Sequence, residues 1–494
     1  MPRPHRPSES TPPKRTEPRN RRIVRTLLAW CVVLGFGAGL AACFPAWSRA
    51  DERGTILQGH ARTVRKPDHR LKLLDDAMTV IRSNYVEAIS DPEAVKAALD
   101  KVSEQLPTPC DHHAELPEKG CDDPDQCLRD ALLTISSRCG LEPDVLVRKF
   151  LRALLQNLDA NSDLLDATML QEIEIATSGR FGGLGMVVAF RDGEYVVVSS
   201  FEGTPARKAG LQPGDTILEI NGLAIAGLPL PQVLRLVRGR AGSRILLTLK
   251  ERKTGRIREL HMVRRVINMP PVRSAMLRDG TAYLRIVNFQ QSTSREVMTT
   301  FRKLTKGHRT SLKGLVVDLR DNPGGLFDQA LKVAAVLMDS GMITSVRGRL
   351  GRLNRDFSVQ PGGHGIECPI VVLMNRGTAS AAEILAGALK GRPNVTLMGD
   401  RSFGKASVQG IFPLGRGLAL RLTTAHYLTA DGSDIDKKGI EPDITLPEAS
   451  VPSGYDNQEE MGPDGVERDP CVRRALASLT ETACINRCVF SSLY

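Results

Sequence analysis

The chain has 494 residues, 41% of them hydrophobic, a globular composition spread over more length than one domain uses. Its net charge of +11 suggests a polyanionic partner until the charge is located. Residues 1–25 carry eight Lys/Arg against Glu9 and Glu17, and the +5 left for the rest of the chain is ordinary, so no nucleic-acid partner is expected.

In chain order, residues 1–22 are rich in Pro, Ser and Arg and predict a disordered basic leader. A transmembrane or signal segment is expected over 23–47, where Thr26–Trp47 runs 22 residues without a charge, enough to span a bilayer. Basic residues before it and Asp51-Glu52 after it put the N-terminus in the cytoplasm and the body on the periplasmic side. Leu40-Ala-Ala-Cys43 resembles a bacterial lipobox. The tether to the inner membrane is therefore either an uncleaved anchor or a lipidated Cys43.

Helical apolar spacing over 71–104 and 144–175 predicts a helical N-terminal region, 67–177, broken by a cysteine-rich insertion at 107–140. Outside the cytoplasm, Cys110, Cys121, Cys127 and Cys139 read as two disulfides with three pairings open. A zinc site from Cys110, His112, His113 and Cys121 has no standard spacing, so no metal or other cofactor is expected. Cys368, opening an apolar strand, reads as a buried thiol.

Residues 178–267 shift to short strands and glycines. Phe181-Gly-Gly-Leu-Gly-Met186, Gln212-Pro-Gly-Asp-Thr-Ile-Leu-Glu-Ile-Asn-Gly222, a helix near Leu230–Val237 and the strand Ile245–Lys250 together resemble a PDZ domain. A glycine turn before an exposed strand aims successive N–H groups at one carboxylate, and a peptide tail then extends the sheet. Gly183, Leu184, Gly185 and Met186 are the candidate peptide-binding loop.

From 268 to 446 strands alternate with helices, which predicts an α/β core with a mostly parallel or mixed sheet. Gly314–Arg320 and Ile370–Met374 are buried strands. The turns after them carry Asn322-Pro-Gly-Gly325 and Ser380 at equivalent ends. Ser380 opens the helix Ala381–Leu389, where free N–H groups and the helix dipole suit a nucleophile and an oxyanion. Ala381 is the first candidate oxyanion donor; Gly324 or Gly325 is the second. Lys405 lies among small and apolar residues and is read as a strand lysine whose burial permits it to act as a base. Gln409, four residues on, is expected on the same strand face, orienting the amine. Ser402-Phe-Gly-Lys405 matches a β-lactamase signature only by letters, because Gly404 interrupts the helix that chemistry needs.

Residues from about 70 to 446 resemble the carboxyl-terminal processing proteases, the tail-specific S41 serine peptidases. The resemblance rests on Leu158-Asp-Ala-Asn-Ser, Ser178-Gly-Arg-Phe-Gly-Gly-Leu-Gly, the PDZ run, Leu319-Arg-Asp-Asn-Pro-Gly-Gly-Leu, the Ser380 region, Phe403-Gly-Lys-Ala-Ser-Val-Gln, Leu422-Thr-Thr-Ala-His-Tyr and Lys438-Gly-Ile-Glu-Pro-Asp. It implies a multidomain α/β protein with a helical N-terminal region, a β-rich PDZ domain and a crotonase/ClpP-like α/β catalytic core. It also implies Ser380 as nucleophile, Lys405 as base and Gln409 as support. The implied partners are proteins with unstructured C-termini, and a homodimer or an adaptor is left open. Gly391 stands where some members carry an acidic residue, so no Asp is assigned a role. The cysteine-containing tail, 447–494, has no named counterpart. A catalytically inactive PDZ scaffold is the alternative reading.

Overall fold

The computed structural model describes residues 71–89, 91–106, 123–306, 312–362, 366–446 and 462–491. The leader, the 23–47 segment, Cys43, Cys110, Cys121 and the zinc candidates lie outside them. Among the described residues no helix is long and apolar enough to cross a membrane.

Four helices, Lys72–Asn84, Asp91–Glu104, Pro124–Cys139 and Pro143–Leu158, enclose a core of Leu74, Ile81, Leu99, Leu132, Phe150 and Leu154. Helical spacing of apolar residues is the cause in Pro143–Leu158, which buries Leu146, Val147, Phe150, Leu151, Leu154 and Leu155. Part of the presumed insertion is regular structure. Asp123 caps Pro124–Cys139 by accepting from Asp125 N and Gln126 N, and Gly140 ends it at φ +61°. Arg82 clamps Asp125 through two bonds of 2.9 and 2.7 Å, joining this helix to the first. Cys127 is disulfide-bonded whereas Cys139 keeps a thiol, so the two-bridge expectation fails at Cys139. The two residues lie 12 positions apart on one rigid helix, about 18 Å, which no disulfide spans.

The expected helical stretch 144–175 is also interrupted. Asp163–Leu165 forms an edge strand paired with Ala419–Arg421, and Ala167–Ser178 is a separate helix. A two-stranded ribbon, Arg180–Gly183 with Arg265–Asn268, then carries a β-rich unit. Its strands Met186–Arg191, Glu194–Ser200, Thr216–Ile220, Arg244–Lys250 and Ile257–Val263 are antiparallel in that spatial order, leaving Met186–Arg191 as an edge. The helix Leu230–Val237 belongs to the same core, through Val233 and Val237. Arg238, at its end, pairs with Glu172 at 2.7 Å and lies over the Phe181 ring.

The remaining core is a six-stranded sheet in the order Val272–Met276, Thr281–Ile286, Gly314–Asp318, Ile370–Met374, Val395–Gly399, Ile444–Thr445. Only the first pairing is antiparallel. Gly314–Asp318 and Ile370–Met374 are buried at every residue, as central strands covered on both faces must be. On one face lie the helices Phe327–Leu337 and Ala381–Leu389. A second sheet, containing Gly341–Arg347, Ser407–Gly415 and Leu418–Leu428, closes over them through Ile343, Val408 and Tyr427. On the other face, Tyr283, Val316, Val371 and Leu373 are covered by Val466, Val472, Ala475 and Leu479. Those four come from the helices Pro463–Arg468 and Pro470–Ser491, so part of the unassigned tail is a layer of the core.

Candidate functional site

Because Gly314–Asp318 and Ile370–Met374 are parallel neighbours, the turns at their carboxyl ends lie side by side. A Cβ on Gly324 would fall 2.9 Å from Ser380 Cβ and from Ala381 N, so the two turns touch. Ser380 is buried, with φ +55° and ψ −115°, a backbone conformation that side-chain-bearing residues rarely adopt. It begins the helix Ala381–Leu389, where the first N–H groups have no intrahelical acceptor.

Glu383 ties this helix to the lysine segment. Its Oε2 accepts from Ser380 N at 2.8 Å and from Lys405 N at 2.9 Å. Its Oε1 accepts from Gly404 N at 2.7 Å and from the Ser402 hydroxyl. The side chain is fully enclosed, and burial raises its pKa against those four hydrogen bonds. Tyr427 supplies a second bridge, donating to Lys405 O at 2.8 Å with Ser380 O at 3.2 Å as the other acceptor. Burial, with Glu383 and Asp436 beside it, pushes its phenol well above the ordinary value. One carboxylate oxygen and one hydroxyl thus join the backbones of Ser380 and Lys405.

Lys405 is not in a strand. It lies in the irregular segment before Ser407–Gly415, held there by the Glu383 bonds. The alternation argument for Gln409 also breaks, because the ladder to Leu418–Leu428 shifts register between Val408 and Gln409. Gln409 Nε2 donates to Ser407 Oγ at 2.8 Å, and Asn161 Nδ2 donates to the same oxygen at 3.2 Å. Gln409 Oε1 is buried with no hydrogen-bond partner, so the expected bond to the lysine amine is not made in this arrangement.

The glycine turn divides its roles. Gly324 N–H donates to Asn322 Oδ1 at 2.9 Å and is therefore occupied. Asn322 Nδ2 donates to Ile286 O at 2.7 Å, and its carbonyl accepts from Ala379 N at 2.9 Å, which locks the two turns together. Among the described residues, Ala381 N–H and Gly325 N–H donate to nothing. These two line a cleft with Ser380, whose apolar walls are Phe327, Ile384, Val408 and Tyr427.

In the β-rich unit, Leu184 O accepts from Ala206 N, and Gly185 O accepts from Phe201 N and Thr204 Oγ1. Gly183 ends the ribbon strand, Leu184 is buried, Gly185 turns at φ +74° and Met186 starts the edge strand.

Sequence reasoning missed Glu383, Tyr427 and Asn161. The first carried a legible signal: Ser380-Ala-Ala-Glu383 is the Ser-x-x-Glu of a helix start.

Residues 280–446 match the family model for Peptidase family S41, and residues 196–251 match a PDZ domain model. The chain is 39% identical over 311 residues to a carboxy-terminal-processing protease of Bartonella bacilliformis, covering 63% of this chain and 71% of that one. It is 35% identical over 305 residues to the carboxy-terminal processing protease CtpA of Bacillus subtilis, covering 61% and 64%. The solved structure of a photosystem II D1 C-terminal processing protease superimposes over 79% of this chain and 95% of its own, with 28% identity and a TM-score of 0.45.

Proposed function

Because the chain belongs to the S41 family of carboxy-terminal processing serine proteases, we propose that it is an exported, membrane-tethered endopeptidase cutting proteins near their C-terminal tails with Ser380 and Lys405. The observation that carries this reading is the pair of bridges, Glu383 Oε2 and Tyr427 Oη, that hold a strained serine and a lysine segment together beside two undonated N–H groups.

A substrate tail adds to the edge strand Met186–Arg191, its carboxylate facing the N–H side of the 183–186 loop, whose carbonyls are engaged from behind. At the cleft, neutral Lys405 takes the Ser380 hydroxyl proton as Oγ attacks the scissile carbonyl carbon. Gly325 and Ala381 N–H hold the resulting oxyanion. Collapse breaks the C–N bond, and the leaving amine receives the proton from Lys405. Water then attacks the acyl carbon, giving its proton to Lys405, and as the bond to Ser380 Oγ breaks Lys405 returns that proton to Oγ and the acid is released. The unpartnered Gln409 Oε1 is an acceptor for the lysine amine when substrate draws the site together. Export and tethering rest on the uncharged Thr26–Trp47 segment and its basic flank.

The test is cleavage of a protein with a disordered tail by membrane and soluble fractions of cells carrying wild type, Ser380→Ala or Lys405→Ala. Wild-type activity is expected in the membrane fraction, with loss of about a thousandfold or more in each variant. Full activity in either variant removes the mechanism; activity wholly in the soluble fraction removes the tether.

A further inference from the structure

Residues beyond 446 lie outside the S41-matched stretch, yet one of them reaches the foot of the glycine turn. Asp469 begins the helix Pro470–Ser491, its Oδ1 accepting from Cys471 N at 2.8 Å. The same carboxylate meets Arg320, with Nη2 to Oδ2 at 2.7 Å and Nη1 to Oδ1 at 3.4 Å, across 149 residues of chain. Arg320 also grips Asp318, at 2.6 Å from Nη2 and 3.0 Å from Nε. Asp318 in turn accepts from Tyr283 Oη and Arg285 Nη1. Two guanidinium groups thus balance two carboxylates, and the Arg320 side chain is 0% exposed, with no water to replace a missing partner.

Arg320 opens the turn. Two residues later Asn322 fixes Gly324 N and Ala379 N, and Gly325 N–H follows. Withdrawing one carboxylate leaves a surplus buried charge whose relief requires Arg320 to move, and the turn is attached to it.

We infer that Asp469 is a positioning residue of the proposed reaction: by completing the Arg320 ion pairs from the far side of the sheet, it fixes turn 321–325 and so the aim of Gly325 N–H at the Ser380 cleft. The helices holding it belong to the catalytic unit. This rests on the Ser380 mechanism proposed above.

Asp469→Asn separates the alternatives, because Asn caps a helix as well as Asp but carries no charge. The full chain is assayed for kcat and KM on the disordered-tail protein. Ser380 is also labelled with a serine-directed acylating probe, reading rate and end-point separately. The expected result is a kcat lower by about tenfold or more, unchanged KM, and slow acylation that reaches the wild-type end-point. Asp469→Glu is expected to recover part of the rate. A kcat within twofold of wild type overturns the inference. So does a reduced or absent end-point with an unchanged rate in the labelled fraction, which makes Asp469 only a folding residue. If wild type itself is not labelled at Ser380, the mechanism fails first; wild-type labelling with an equal rate in Asp469→Asn overturns this inference alone.

Discussion

The two turns that form the candidate site solve one geometric problem with opposite residues. At the end of Gly314–Asp318, Asp321 takes φ +55° and glycines take the two wider angles, +100° at Gly324 and +136° at Gly325. One parallel strand over, Ser380 takes +55°. Glycine adopts such angles without steric cost, whereas a serine there is strained by about 1–3 kcal/mol. A chain selected for stability alone has no reason to keep a hydroxyl at that position. The buried carboxylates beneath the turns differ in the same sense. Burial alone raises Asp318, but the charges of Arg320 and Arg285 overcome it and hold the carboxyl down at about 2. Glu383, met by neutral N–H and O–H donors, is left raised by burial. The glycine turn is locked by charge; the serine turn is held by directional hydrogen bonds.

The largest test of this contrast is Ser380→Gly. It is expected to abolish cleavage, by about a thousandfold or more, while making the protein roughly 1 kcal/mol more stable to denaturant, because the strain leaves with the side chain. A less stable variant removes the claim that strain is stored there.

The reciprocal change, Gly324→Ala, places a Cβ within 2.8–2.9 Å of Ala379 O, Ala381 N and Ser380 Cβ. Activity is expected to fall about a hundredfold, with stability down by about 2–4 kcal/mol, read from kcat and a urea transition. Near-normal kcat means that the turns need not touch.

The smallest effect concerns pH. A carboxyl whose pKa is lowered by folding stabilises the protein above its unfolded value and loses that contribution as pH falls through its folded value. For Asp318 the window runs from about pH 4 down to about 2, with roughly 2 kcal/mol at stake. Melting temperatures of wild type should drop across that window more steeply than those of Asp318→Asn. Equal slopes mean that the charge lock is not what holds the glycine turn.

Much of the core was legible because its signals are local. Helix Ala381–Leu389 and strand Ile370–Met374 stand where the apolar runs put them. The neighbouring turns followed from parallel strand–turn–helix units. The misses come from long-range or two-valued signals. Lys405 sits in small and apolar sequence that reads as strand, but backbone bonds to Glu383, 22 residues earlier, hold it in a loop. Gly324 and Gly325 look equivalent until the Asn322 side chain consumes one N–H. The insertion reads as loop from its cysteines, although Asp123 and Gly140 punctuate a helix inside it. Asp469 had no sequence signal beyond a helix start, since its partner lies 149 residues away.

The layer formed by Pro463–Arg468 and Pro470–Ser491 also orders events during synthesis. A chain emerging from the ribosome N-terminus first contains Ser380, Lys405 and Gln409 well before it contains Asp469 and Leu479. Through that interval one face of the six-stranded sheet lacks the cover these helices give, and Arg320 lacks its Asp469 partner. The proposed catalytic residues are made before the layer that completes the sheet beneath them.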